Sequence, residues 1–273
     1  MELELDRDRL HLAVEHVRNN GYVLFEDVIP RSLIDDVLRS FEPLLESHLR
    51  SGATQSTKLK HCNMYVPFVT PFADERVVAH PLALSVVEAL LGEECICHYF
   101  ASNTALPGSE FQPVHADIFP LFPDARLVLP PYSLVVNIPL VDFTEGNGPL
   151  EIWPGGSHHY VAATSDIPKL ASTMKSERLL MRAGSVLIRD SRMWHRGTQN
   201  RSGQPRPSLA LVYSREWLKL TRPRIAVPTA TFEGLSARAR RLFRMEAIGA
   251  DPNDVHLIDP HLRHAAAELA SRA

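Results

Sequence analysis

Gly184-Ser185-Val186-Leu187-Ile188-Arg189-Asp190-Ser191-Arg192-Met193-Trp194-His195-Arg196-Gly197-Thr198 is followed, eleven residues after its histidine, by Arg206-Pro207-Ser208-Leu209-Ala210-Leu211-Val212-Tyr213. The two apolar runs read as strands, and the polar, glycine-bearing residues between them leave no space for a crossover helix. Working outward, the same texture recurs at residues 94–101, 132–141, 150–153, 179–188 and 209–216. Gly, Pro and Asn punctuate these runs, as at Leu106-Pro107-Gly108 and Gly146-Asn147-Gly148-Pro149. Many short strands without alternating helices favour a mainly β, antiparallel two-sheet roll over a parallel α/β fold. The roll core spans about residues 94–217 of one domain that takes in all 273 residues.

Helices flank it. Residues 7–19 and 31–50 read as helical, and Leu33, Ile34, Val37, Leu38, Phe41, Leu44 and Leu45 recur at the spacing of one apolar face. Such a face would cover one side of a sheet. A C-terminal extension, about residues 233–273, is helical at 235–247 and again at 261–273. Its Arg238, Arg240, Arg241 and Arg244 are expected on a solvated helix face rather than in a basic partner site.

The chemistry is carried by His115-Ala116-Asp117, His195 and Arg206. Two imidazoles and one carboxylate are what a mononuclear non-haem Fe(II) site needs when half its coordination sphere must stay open. His115 and Asp117 can both point inward if Asp117 lies just past a strand end, and the distant His195 then closes a facial set. Arg206 adds a fixed cation for the far carboxylate of a 2-oxo acid. Period-2 geometry puts Arg206 and Ser208 on one sheet face, so a carboxylate there meets both. A tripeptide such as His-x-Asp is common by chance; its specificity comes from these partners and their spacing.

Together with two further segments, these residues resemble the phytanoyl-CoA dioxygenase family of Fe(II)/2-oxoglutarate oxygenases. Asn20-Gly21-Tyr22-Val23-Leu24-Phe25-Glu26-Asp27-Val28-Ile29-Pro30 is similar to that family's first strand and the approach to its helix. Glu145-Gly146-Asn147-Gly148-Pro149-Leu150-Glu151-Ile152-Trp153-Pro154-Gly155-Gly156-Ser157-His158 resembles its Asn-Gly turn and Pro-Gly-Ser-His segment. The likeness covers roughly residues 18–217. It implies a double-stranded β-helix, or jelly roll, with N-terminal and C-terminal helices. It also implies Fe(II) on His115, Asp117 and His195, 2-oxoglutarate on Arg206, Ser208 and Gln112, and O2 as oxidant. Two departures stand out: Gly155-Gly156 doubles a glycine that is usually single, and Leu150 replaces a threonine that touches the cosubstrate in many relatives. Relatives that transfer halide have a small residue where Asp117 stands, so halogenation is disfavoured here.

Substrate residues follow from position in that family. The segment after the second helix offers Lys58, Lys60 and Asn63, and the proline-rich loop after His-x-Asp offers Phe119 and Phe122 as a water-excluding cover. The implied reaction is hydroxylation, or another oxidation begun by C–H abstraction, of a small organic molecule such as a natural-product or modified amino-acid intermediate. A non-oxidative jelly-roll metalloenzyme (isomerase or epimerase) would have no need of Arg206. An acyl-CoA hydroxylase would favour an extended basic surface, which the sequence lacks.

Composition excludes several other classes. The apolar fraction is 45% and the formal net charge −3, which argues against a general grip on nucleic acid or anionic lipid. No apolar stretch reaches the length of a membrane span, and the first residues are acidic rather than leader-like. Cys62, Cys95 and Cys97 read as reduced, buried small residues. A cytoplasmic monomer or homodimer acting on a small molecule is the expectation.

Overall fold

The computed structural model describes residues 5–51, 59–123, 125, 127–160, 162–218 and 224–252. In chain order the first elements are α1 (Arg7–Asn20), β1 (Tyr22–Phe25), α2 (Arg31–Arg50), β2 (His61–Tyr65), α3 (Glu75–Val78), α4 (Pro81–Leu91) and β3 (Ile96–Ala105). The roll continues through β4 (Ser133–Pro139), β5 (Leu150–Ile152), α5 (Ile167–Ala171), β6 (Glu177–Leu179), β7 (Val186–Asp190), β8 (His195–Gly197) and β9 (Arg206–Ser214). It ends in β10 (Ala226–Val227), α6 (Thr229–Gly234), α7 (Ala237–Phe243) and β11 (Ala247–Ile248).

Six strands form one antiparallel sheet in the order β1-β7-β4-β9-β3-β2, and three form a second, β6-β5-β8. This is a double-stranded β-helix. Strand alternation gives the large sheet two different faces. Leu134, Val136, Ile138, Ile188, Leu209 and Leu211 point outward and are buried in one core with the helices. Val17 of α1, Ile34, Val37 and Phe41 of α2, and Val86 and Val87 of α4 supply the other half. Each such side chain, fully buried, contributes about 1.5–3 kcal/mol, so helices and sheet stabilise each other.

The inner face is polar. Across β2, β3 and β9, Asn63, Asn103 and Ser208 stand in register, and His61, Ala105 and Arg206 form the next row. Opposite them the small sheet closes the roll, and Phe143, Ile152, Met181, Leu187 and Met193 seal one end with a separate apolar cluster. The roll, with β1 and β2 from outside residues 94–217 among its strands, is thus a shell whose outer face packs on helices and whose inner face is polar.

Three expectations change. The run 179–188 is not one strand: β6 and β7 belong to different sheets. The chain turns between them at Gly184 (φ 85°), whose carbonyl accepts from the Val28 and Ile29 amides. The helix expected at 235–247 is shorter, because Ser236 caps α7 and β11 takes over at Ala247. Arg238, Arg241 and Arg244 are part-exposed and ion-paired rather than simply solvated. Arg238 pairs with Glu88 of α4 at 2.6 Å, and Arg244 reaches Glu94 and Glu216, so α7 is tied to the roll. Residues 261–273 lie outside the described residues. Cys62, Cys95 and Cys97 are buried thiols outside any disulfide, as expected. No described helix is long and apolar enough to cross a membrane.

Candidate metal and cosubstrate site

His195 opens β8, and His115 pairs with it across an isolated antiparallel bridge, its N–H and C=O exchanging 3.0 Å hydrogen bonds with the His195 backbone. Asp117 follows two residues on, where its amide donates to the Ser191 carbonyl as the chain turns away. The three side chains converge so that one ligand atom from each lies within 4.8 Å of the others. Asp117 Oδ1 is 3.5 Å from His195 Nε2 and 3.9 Å from His115 Nε2.

The tautomers fit a metal. Nδ1 of His115 lies 2.9 Å from the Pro113 carbonyl, and Nδ1 of His195 lies 3.0 Å from the Met193 carbonyl. A carbonyl oxygen only accepts, so each Nδ1 carries the proton and each Nε2 presents a lone pair to the centre. Burial, then Arg189, pushes the His195 imidazolium down to about 4, which keeps the ring neutral at physiological pH. Burial raises the Asp117 carboxyl, but Arg189, His195 and His115 together outweigh it and hold the group well below the usual carboxylate range. Two imidazole nitrogens and one anionic oxygen on one side, with the other side open, are a donor set that suits Fe(II).

The same pocket holds Arg206. It is 5% exposed, its guanidinium carbon sits 4.2 Å over the Phe143 ring, and its Nε has no hydrogen-bond partner. Burial lowers the guanidinium to about 10, still charged at neutral pH. No described carboxylate pairs with it. A buried, unpaired cation is costly unless a ligand completes it, and a carboxylate of a 2-oxo acid is the complement.

Other residues expected at the site fall into three groups. Ser208 and Gln112 line the pocket; Ser208 Oγ donates to the Asn103 carbonyl, and Gln112 Oε1 accepts from the Gly197 amide at 2.8 Å. Asn63 lines both this pocket and an adjoining cleft that also borders Asp117, Arg189, Asn103 and Ser191. Phe119 and Phe122 instead line a neighbouring apolar pocket with Leu129, Tyr160 and Trp194. Ile118 borders both the cleft and that pocket, so the two meet across the residue after Asp117. Lys60 lies away from all three: at φ 56° it directs its ammonium towards Gly108. Lys58 lies outside the described residues. Leu150 lines the pocket wall where relatives were expected to carry threonine.

Sequence reasoning missed His61, Asn103, Asn137 and Arg189. His61 Nε2 donates to the Glu110 carbonyl at 2.6 Å, and the ring borders Arg206; burial lowers its pKa. Gly197 makes room for it, because a Cβ there would lie 2.5 Å from His61 Cε1 and 2.9 Å from Gln112 Oε1. The signal for Gly197 was its place next to the motif histidine. His158 and His159 stack at 3.8 Å and both ring Nε2 atoms meet the Arg18 carbonyl, a tie between the roll and α1 rather than a ligand role.

Comparison with known proteins agrees with this geometry. A family model described as phytanoyl-CoA dioxygenase matches residues 17–208. A protein named dioxygenase af480, from Aspergillus fumigatus, is 25% identical over 247 residues, covering 87% of this chain and 77% of that one. Dioxygenase olcK from Penicillium canescens is 26% identical over 241 residues, with 83% and 77% covered. Among solved structures, the non-haem α-ketoglutarate-dependent carbocyclase SnoK of nogalamycin biosynthesis superposes with a TM-score of 0.56 at 20% identity, over 77% of this chain and 84% of that one.

Proposed function

Because this chain belongs to the phytanoyl-CoA dioxygenase family and is a non-haem Fe(II)/2-oxoglutarate-dependent dioxygenase, we propose that it oxidises a C–H bond of a small amphipathic molecule, a natural-product or modified amino-acid intermediate. His115, Asp117 and His195 hold Fe(II); Arg206 receives the C5 carboxylate of 2-oxoglutarate, with Ser208 and Gln112 beside it. When bound, iron and cosubstrate supply the oxidising power, with dioxygen consumed and 2-oxoglutarate leaving as succinate and CO2. The observation that carries this reading is the pairing, within one pocket, of an open-faced His-Asp-His set and a buried arginine that has no acid partner among the described residues.

The chain's own residues do the rest. The neutral His195 imidazole and the ionised Asp117 carboxylate keep their donor atoms ready without proton release at neutral pH. The cleft beside Asp117, with the Asn63 and Asn103 amides on its walls, suits a hydrogen-bonding part of the substrate. The apolar pocket across Ile118 suits a ring or chain, and Phe119, 76% exposed, has apolar surface to cover with it. An amphipathic substrate spanning both presents its C–H to the open side of the donor set.

Anaerobic titration of the apo-protein with Fe(II) and 2-oxoglutarate tests the proposal. The expected result is a weak visible charge-transfer band that saturates near one equivalent, and succinate formation on admitting air. Iron bound with no band and no succinate would overturn it in favour of non-oxidative metal chemistry.

A further inference from the structure

Arg189 lies on the inner face of β7, and the residue is 2% exposed. The two strand residues before it, Leu187 and Ile188, are buried apolar groups, so a cation here needs a reason. Nη2 donates to Asp117 Oδ2 at 2.6 Å, and Nε donates to Asn137 Oδ1 at 3.2 Å. Nη1 comes to 3.5 Å of His195 Nδ1, which already donates to the Met193 carbonyl. That contact is therefore an approach of two donors, and it presses the ring from its outer side. The other Asp117 oxygen, Oδ1, is the one that faces both Nε2 atoms.

We infer that Arg189 is a positioning residue that reserves Oδ2, so that Asp117 offers the metal a single oxygen. The inference rests on the reading of His115, Asp117 and His195 as ligands. A carboxylate can bind a metal through one oxygen or both. Bound through both, Asp117 would fill a position that cosubstrate or oxygen needs. A charge-assisted hydrogen bond to Oδ2 opposes that rotation, and Asn137 keeps the guanidinium from following the carboxylate. Outer partners of this kind orient a ligand without touching the metal. Here the partner is a cation from a different strand, so carboxylate orientation is fixed by the β7–β4 pairing that places Arg189 beside Asn137.

The test is the number of water positions on the metal, which activity does not report. Mn(II) is loaded into the apo-protein without 2-oxoglutarate, and water-proton relaxivity is measured at saturating protein for the native chain, Arg189→Met and Arg189→Lys. Relaxivity scales with the count of exchangeable waters. Losing one of three open positions lowers it by about a third in Arg189→Met, and Arg189→Lys, which keeps one donor for Oδ2, recovers most of that loss. Equal relaxivity in the native chain and both variants, at equal Mn(II) stoichiometry, would overturn the inference. Should Arg189→Met not fold, Arg189→Lys against Asn137→Ala decides the matter: only variants that free the carboxylate lower the count. A native chain that binds no stoichiometric Mn(II) overturns the ligand set itself, a different result from unchanged relaxivity on a bound ion.

Discussion

Arg189 and Arg206 are both buried on the inner face of the same sheet, yet their surroundings are opposite. At the mouth, Arg189 meets Asp117 and Asn137 and has its carboxylate built in. In the recess beside Phe143, Arg206 has no carboxylate among the described residues and an Nε without a partner. The difference shows how a buried charge can be read. One completed inside the protein shapes what is already there, whereas one left incomplete marks what has to arrive.

The largest expected effect comes from breaking the mouth. His115→Ala or Asp117→Ala removes a donor, and because even outer partners of metal ligands are worth 10–100-fold, turnover measured by succinate release should fall by more than about 100-fold. The fold should survive, with near-native far-UV circular dichroism. In the recess, Arg206→Met should weaken 2-oxoglutarate binding by about 2–5 kcal/mol, the usual effect of truncating one side of a buried charge pair, while the midpoint of metal binding stays put. The same variant sharpens the contrast through stability. Removing a buried charge that lacks a partner should hold or raise the melting temperature of the ligand-free protein, whereas a drop would show that Arg206 is completed by the chain itself.

Gly197→Ala tests how closely the two regions are joined. Its Cβ would collide with His61 and Gln112, so a loss of about 1–3 kcal/mol is expected from overpacking, at about 2–4 °C of melting temperature per kcal/mol. Cosubstrate affinity should fall with it. The smallest effect belongs to the rim: Phe119→Ser should leave stability within about 0.5 kcal/mol and 2-oxoglutarate binding unchanged, raising only the substrate KM. A shifted 2-oxoglutarate affinity would place the apolar pocket inside the cosubstrate site rather than beside it.

Much of this was readable beforehand. That His115, Asp117 and His195 would cluster was legible from chain order and the turn residues around them, although only His195 lies in a named strand, and Arg206 was singled out by its fixed distance from His195. Arg189 was not. It stands in an apolar run, where alternation alone allows a solvated arginine, and its meaning depends on Asn137 from β4 and Asp117 from a loop. His61 and Asn103 were hidden likewise, since only pairing of β2 with β3 and β9 brings them to the inner face. The split of residues 179–188 between two sheets was masked because both ends are rich in large aliphatic residues; Leu179 and Met181 are buried in one apolar cluster, Val186 and Ile188 in another. Among elements, α4 was missed although Pro81 opens it and Gly92 ends it.

The carbonyls of Pro113 and Met193 settle one more matter. By holding both Nδ1 protons, they make two nitrogens available before any ion arrives, on backbone that the roll has already fixed. Such a pair greets copper, nickel and zinc as readily as iron, and Fe(II) stands near the weak end of that affinity series. If these residues hold the metal, occupancy is a question of supply: in an iron-poor, zinc-rich setting the folded chain would fill with zinc and lose turnover. Its working population is set by the cell's metal traffic as much as by how much of the protein is made.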